Sequence, residues 1–230
     1  MSANAEADQL IDRIILVTGA AHGIGASVAK LCAAHGATVI LLDKQLKALE
    51  SVYDAIDQAG HPQAALYPLD LKGATVPDYQ ELAHTISTQF GRLDGLIHCA
   101  ASLGQLAPVE HQDPKTWLET LHVNLTGAYL LTRACLPLLK QQPGSQLIFT
   151  TDSHTSRAYW GAYGISKSAI ETLAGQLTDE LEAQDNLSVH CIDPGSVQTE
   201  LFARAYPAID PSSLPTAEDI APIYLSLFSQ

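Results

Sequence analysis

Ile14-Ile15-Leu16-Val17-Thr18-Gly19-Ala20-Ala21-His22-Gly23-Ile24-Gly25 is an apolar run that ends in three glycines. Ala26, Val28, Ala29, Leu31 and Cys32 then repeat at helical spacing. A buried strand, a tight turn and a helix start follow from that pattern. A helix N-terminus offers unpaired N–H groups and the positive end of its dipole, so an anion is favoured there. Glycine lets the chain turn with positive φ and lets phosphates approach the backbone closely. The spacing is Gly19-x-x-x-Gly23-x-Gly25 rather than the commoner Gly-x-Gly-x-x-Gly. On its own it also fits an ordinary strand-to-helix turn.

Moving outward, apolar runs alternate with helical patterns. Strands are expected at 13–18, 37–42, 64–69, 93–99, 146–151 and 187–192. Helices are expected at 23–35, 44–59, 76–90, 114–140, 163–184 and 216–228. The strand cores are continuous apolar runs, as in strands covered on both faces. Alternation of this kind predicts an α/β, doubly wound parallel sheet of Rossmann type, in strand order 3-2-1-4-5-6. No repeat, linker or low-complexity tract interrupts the chain, so a single domain over 1–230 is expected, with a loose arm at 1–12.

Composition narrows the partners. The chain has 230 residues and is 47% hydrophobic, which suits one large globular domain. Its formal net charge of −13 disfavours nucleic acid and anionic membrane surfaces. No apolar run reaches the length of a transmembrane helix, and Met1 to Asp12 carries no signal pattern. Cys32, Cys99, Cys135 and Cys191 lie far apart without metal-ligand spacing, so no metal is expected. Buried, reduced thiols in a cytoplasmic protein are the plain reading.

Three further features carry chemistry. Asp43 ends the second strand about twenty residues past the glycine turn, where a carboxylate accepts hydrogen bonds from an adenosine ribose and repels a 2′-phosphate. That favours NAD over NADP, although Lys44 and His22 stand nearby and NADP remains possible. A helix N-cap is the equal alternative for Asp43. Asp70 ends the third strand. Tyr163-x-x-x-Lys167 places an ammonium beside a phenol on one helix face. A cation there stabilises phenolate and suits the pair to acid–base chemistry on an alcohol or carbonyl.

Together, Gly19-x-x-x-Gly23-x-Gly25, Asp70, Asn124, Tyr163-x-x-x-Lys167 and Pro194-Gly195 with Thr199 stand in the order of the short-chain dehydrogenase/reductase family. The chain resembles that family over essentially its whole length. Arg13–Gly19, Arg92-Leu93-Asp94-Gly95, Trp160–Tyr163 and the segment around Val123-Asn124 are most similar to its YciK-type bacterial oxidoreductases. The resemblance implies NAD(P)-dependent transfer of a hydride between nicotinamide and a small carbonyl or secondary alcohol. Tyr163 would be the proton donor or acceptor. Lys167 would tune it and bind the nicotinamide ribose, and Asn124 would anchor a water in a proton relay. Gly19, His22, Gly23, Ile24, Gly25, Asp43, Asp70, Leu71, Cys99, Ala100, Ala101, Pro194, Gly195, Val197 and Thr199 would hold the cofactor. A non-catalytic nucleotide-binding protein is the alternative reading.

Two departures from the family pattern lie in the site. Its Asn-Ala-Gly after strand four is here Cys99-Ala100-Ala101. The place of its catalytic serine, counted along the end of strand five, falls on Asp152, and the loop onward to Tyr163 is short. Ser153 is the nearest serine and is expected to supply the hydroxyl if the turn shifts by one residue. The family's seventh strand is absent after Leu227-Phe228-Ser229-Gln230, so a sheet edge is exposed or the chain is truncated. The resemblance also implies a homodimer through the helices at 114–140 and 163–184.

Overall fold

The computed structural model describes residues 9–153, 157–182 and 186–229. Its six strands are β1 (Ile14–Thr18), β2 (Thr38–Asp43), β3 (Ala65–Pro68), β4 (Gly95–His98), β5 (Ser145–Thr150) and β6 (Leu187–Ile192). They form one parallel sheet in the order β3-β2-β1-β4-β5-β6, as the alternating pattern predicts. β1 sits at its centre because all five of its residues are apolar or β-branched and buried.

The helices are α1 (Gly23–Ala34), α2 (Leu46–Gln58), α3 (Val76–Phe90), α4 (Pro114–Leu121), α5 (Gly127–Leu139), α6 (Gly161–Leu181), α7 (Glu200–Ala205) and α8 (Ala217–Ser226). Successive strand side chains point to opposite faces, and the core divides accordingly. Ile15, Val17, Val39, Leu41, Ile97 and Ile148 pack with α1, α2 and α8 residues such as Val28, Leu49 and Tyr224. Leu16, Ile40, Leu42, Leu96, Leu147 and Phe149 pack with Leu82, Leu131 and Ile170 of α3, α5 and α6. No helix among the described residues is long and apolar enough to cross a membrane.

The helix expected at 114–140 is interrupted by a π-helical segment, His122–Thr126, between α4 and α5. Pro137 lies inside α5, in its last turn. Between β6 and α8 lies the short helix α7, started by Thr199, whose hydroxyl accepts from Phe202 N–H. Of the arm expected at 1–12, residues 1–8 lie outside the described residues, while Gln9–Asp12 is docked rather than loose. Leu10 is fully buried and its N–H donates to His35 O at 2.9 Å. Cys32 and Cys135 are buried and Cys191 is exposed, so the thiols are not uniformly interior.

Candidate active site

A cavity of about 470 Å³ opens at the carboxyl ends of the strands and gathers most of the predicted residues. In open parallel sheets ligands bind there, beside the strand at which the order reverses. Gly19, His22, Gly23, Ile24 and Gly25 line it from the β1–α1 turn, and Asp43, Asp70 and Leu71 from the ends of β2 and β3. Cys99, Ala100 and Ala101 line it after β4, and Pro194, Gly195, Val197 and Thr199 after β6. Tyr163 and Lys167 complete the wall.

The turn is built by contacts that leave no space for side chains. A Cβ on Gly25 would stand 2.3 Å from Gly19 O, so α1 starts directly against the turn. Gly19 has φ of +67°, and a Cβ there would stand 2.8 Å from the Ala100 backbone. Thr18 Oγ1 accepts from the N–H groups of Cys99 and Ala100, which fastens the end of β4 to β1. His22 occupies the α1 N-cap position without a side-chain capping bond, and the first turn contains no acidic residue. This end of α1 therefore fits a pyrophosphate.

Asp43 is not a helix cap. The N-cap of α2 is Gln45, and Asp43 Oδ1 accepts from Gln45 N–H at 3.0 Å while the residue lines the cavity. Asp70 Oδ1 likewise accepts from Lys72 N–H at 3.0 Å.

Tyr163 lies in the first turn of α6, so Lys167 falls on the same face, its Nζ 5.6 Å from the Tyr163 ring centre. Both are buried. Lys167 Nζ donates to Thr150 O at 2.7 Å. Burial holds the Lys167 ammonium below its usual pKa, opposed by the charge of Asp152. Burial, reinforced by the Asp152 carboxylate, pushes the Tyr163 phenol well above its usual value.

The substrate side departs from expectation. Ser153 does not line the cavity with Tyr163: its hydroxyl and its N–H both donate to Asp193 Oδ2. Asp152 lines the cavity instead, and Tyr163 Oη donates to its Oδ2 at 3.3 Å. Ser153 is thereby turned toward Asp193, just past the end of β6.

Asn124 is buried in the π-helical segment. Its Oδ1 accepts from Ser102 N–H at 2.7 Å, and its Nδ2 donates to Ser102 O at 2.9 Å and to Ser166 Oγ at 3.0 Å. Both amide hydrogens are thereby used, so the side chain holds the loop after β4. Such π-helical bulges recur at functional sites. Sequence reasoning missed Ser102, Ser166 and Asp193 as partners, and no local pattern marks them. It also missed the apolar cluster of Leu103, Trp160 and Tyr163, against which Leu106, Leu201 and Tyr206 pack.

A family model described as short chain dehydrogenase matches residues 13–209. The chain is 42% identical over 222 residues to the uncharacterized oxidoreductase YciK of Escherichia coli strain K12, covering 96% of this chain and 87% of that one. A Shigella flexneri 2a strain 301 short chain dehydrogenase complexed with NADP is similar at TM-score 0.93 and 42% identity, covering 96% of this chain and 93% of that one. An E. coli CFT073 short chain dehydrogenase complexed with NADPH is similar at TM-score 0.92 and 43% identity, covering 96% and 92%.

Proposed function

The chain belongs to the short-chain dehydrogenase/reductase family, and from that premise we propose that it is a nicotinamide-dependent oxidoreductase in which Tyr163 passes a proton to a small-molecule substrate. The observation that carries this reading is the single cavity shared by the glycine turn, Tyr163 and Lys167. When bound, the cofactor supplies or accepts the hydride equivalent. The N–H groups of the β1–α1 turn would hold its pyrophosphate, and Asp70 and Leu71 would flank its adenine. Lys167 would reach its nicotinamide ribose, with Cys99–Ala101 on one side and Pro194, Gly195, Val197 and Thr199 on the other.

Tyr163 is the proton donor of this reading. Its neutral form is favoured by burial and by Asp152, so at rest the phenol carries the proton it would pass on, as a weaker acid than a free phenol. The reaction of this reading is reduction of a polarised double bond, a carbonyl by the family pattern, or its reverse, oxidation of a secondary alcohol. Asn124 acts as a positioning residue through Ser102.

Asp43 favours NAD, because its carboxylate meets the cavity where an adenosine ribose would lie. The relatives complexed with NADP and NADPH argue the other way, so the two cofactors need direct comparison. Titration of protein fluorescence with NADH and NADPH, then a panel of ketones, aldehydes and secondary alcohols, tests the reading. Tighter NADH binding and turnover on the panel support it. Tighter NADPH binding removes Asp43 from the ribose, and absence of binding to either cofactor removes the function. Asp152 at the serine place favours a second reading, a cofactor-binding protein without turnover. Binding without reaction on carbonyls, alcohols or imines would establish that one.

The chain would act in the cytoplasm as one domain over 1–230 and as a homodimer. Leu118 of α4, Tyr129 of α5 and Ile165 of α6 support the dimer, being 66%, 45% and 53% exposed. Ile170, Leu177 and Leu181 do not contribute, because they face the sheet core.

A further inference from the structure

We propose that the atom receiving the proton from Tyr163 is nitrogen, and that the site serves an apolar cyclic imine and its amine product in preference to a ketone and its alcohol. This rests on the oxidoreductase reading above and names the substrate class of that same cavity.

Tyr163 Oη donates to Asp152 Oδ2 at 3.3 Å, so whatever atom accepts a proton from Oη comes within a few ångströms of a carboxylate. Reduction of a carbonyl builds negative charge on oxygen at that point. Like charges so close repel, most strongly where water is sparse. Only interactions stronger in the transition state accelerate a reaction, and here the interaction has the wrong sign. Protonation of an imine builds positive charge on nitrogen instead. The same carboxylate then stabilises the developing iminium and accepts its N–H in a charge-assisted hydrogen bond. In reverse, oxidation of an amine develops the same positive charge beside the same group.

The rest of the cavity agrees. Asp193 is a second carboxylate close enough to act on Tyr163 and Lys167, and its Oδ2 is anchored by Ser153. Lys167 directs its ammonium to Thr150 O. Leu103, Leu201 and Phe202 line the cavity and accept an apolar body. Behind them the Trp160 ring lies 5.7 Å from the rings of both Tyr163 and Tyr206. A carboxylate with apolar and aromatic surface suits an organic cation.

Imine nitrogen takes the proton of Tyr163 Oη. The carbon of the C=N bond gains a C–H bond while the π pair moves onto nitrogen. The electron pair and hydrogen come from a reduced dihydronicotinamide, which becomes oxidised. The phenolate regains its proton from solvent.

The test uses the full chain with 3,4-dihydroisoquinoline, its product 1,2,3,4-tetrahydroisoquinoline and the ketone 1-tetralone, in wild type, Asp152→Ser and Asp152→Asn. Circular dichroism checks that the variants fold. Calorimetric titration of the amine, run without cofactor, should show binding that weakens at least about tenfold in both variants, as expected for loss of a charge-assisted hydrogen bond. With reduced cofactor, wild-type kcat/KM should favour the imine, and Asp152→Ser should shift the preference toward the ketone. Equal amine affinity in all three proteins, or faster wild-type reduction of 1-tetralone, would overturn the proposal. Failure to bind nicotinamide cofactor would defeat the oxidoreductase reading alone, since the amine titration does not depend on it.

Discussion

Removal of the Asn124 side chain separates its structural task from that of the reacting groups. Asn124→Ala deletes three hydrogen bonds of 2.7, 2.9 and 3.0 Å. Ser166 loses little, because its hydroxyl still donates to Tyr163 O at 2.6 Å. The N–H and C=O of Ser102 lose partners together in a half-buried loop. With about 1 kcal/mol net for each bond, and a further cost for stranded buried groups, the loss comes to about 3–4 kcal/mol. For a chain of this length that lowers Tm by roughly 6–16 °C. Asn124→Asp sharpens the test. It keeps the acceptor for Ser102 N–H, but an ionised carboxylate faces Ser102 O where an N–H₂ donated. A protonated carboxyl can still donate there, so the folded pKa of the new acid should rise above its unfolded value of about 3.9. The variant's deficit should therefore grow as pH rises from about 4 through that raised pKa, and be larger at pH 8 than at pH 5. Urea unfolding followed by circular dichroism at both pH values measures it. A loss below about 1 kcal/mol in Asn124→Ala, or an Asn124→Asp deficit indifferent to pH, would refute the reasoning.

Other outcomes follow from the same structure. Gly25→Ala places a Cβ 2.3 Å from Gly19 O; it should lose about 1–3 kcal/mol or more in urea unfolding and most of its cofactor affinity. Gly175→Ala, in open space on α6, should gain about 0.5–1 kcal/mol in the same assay. Burial pushes the His98 imidazole down to about 3, while His98 stacks on Phe149 and pairs with Thr132. Unfolding then takes up a proton below the usual value near 6.5, so stability should fall by about 1.4 kcal/mol per pH unit as pH drops through that window. His98→Gln should flatten that slope in urea titrations. Leu118→Glu with Ile165→Glu should turn a dimer into a monomer in light scattering coupled to size exclusion, given an interface above about 1,000 Å².

What the sequence reveals about this molecule depends on how local each signal is. α3 and β6 are read with their true bounds. α3 carries a capping box at Thr75 and Asp78 and a left-handed Gly91 at its end, while β6 is a short run that stops just before Pro194-Gly195. The glycine turn, Tyr163 and Lys167 are likewise legible, since their geometry follows from one helix start or one helix turn. The fate of Ser153 is not, because it depends on Asp193, forty positions away at the end of another strand. The π-helical segment escapes for a similar reason. Its residues continue the helical spacing, and the Ser102 loop that engages Asn124 lies 22 positions back.

The central claim is that Tyr163 gives up a proton in a nicotinamide-dependent reaction. Tyr163→Phe keeps the ring against Trp160 and removes the proton. The decisive measurement is turnover of the best substrate by wild type and Tyr163→Phe, with cofactor affinity determined by fluorescence on the same samples. The account predicts turnover lower by roughly 10²–10⁴ at nearly unchanged cofactor affinity. Equal turnover in the two proteins would contradict it.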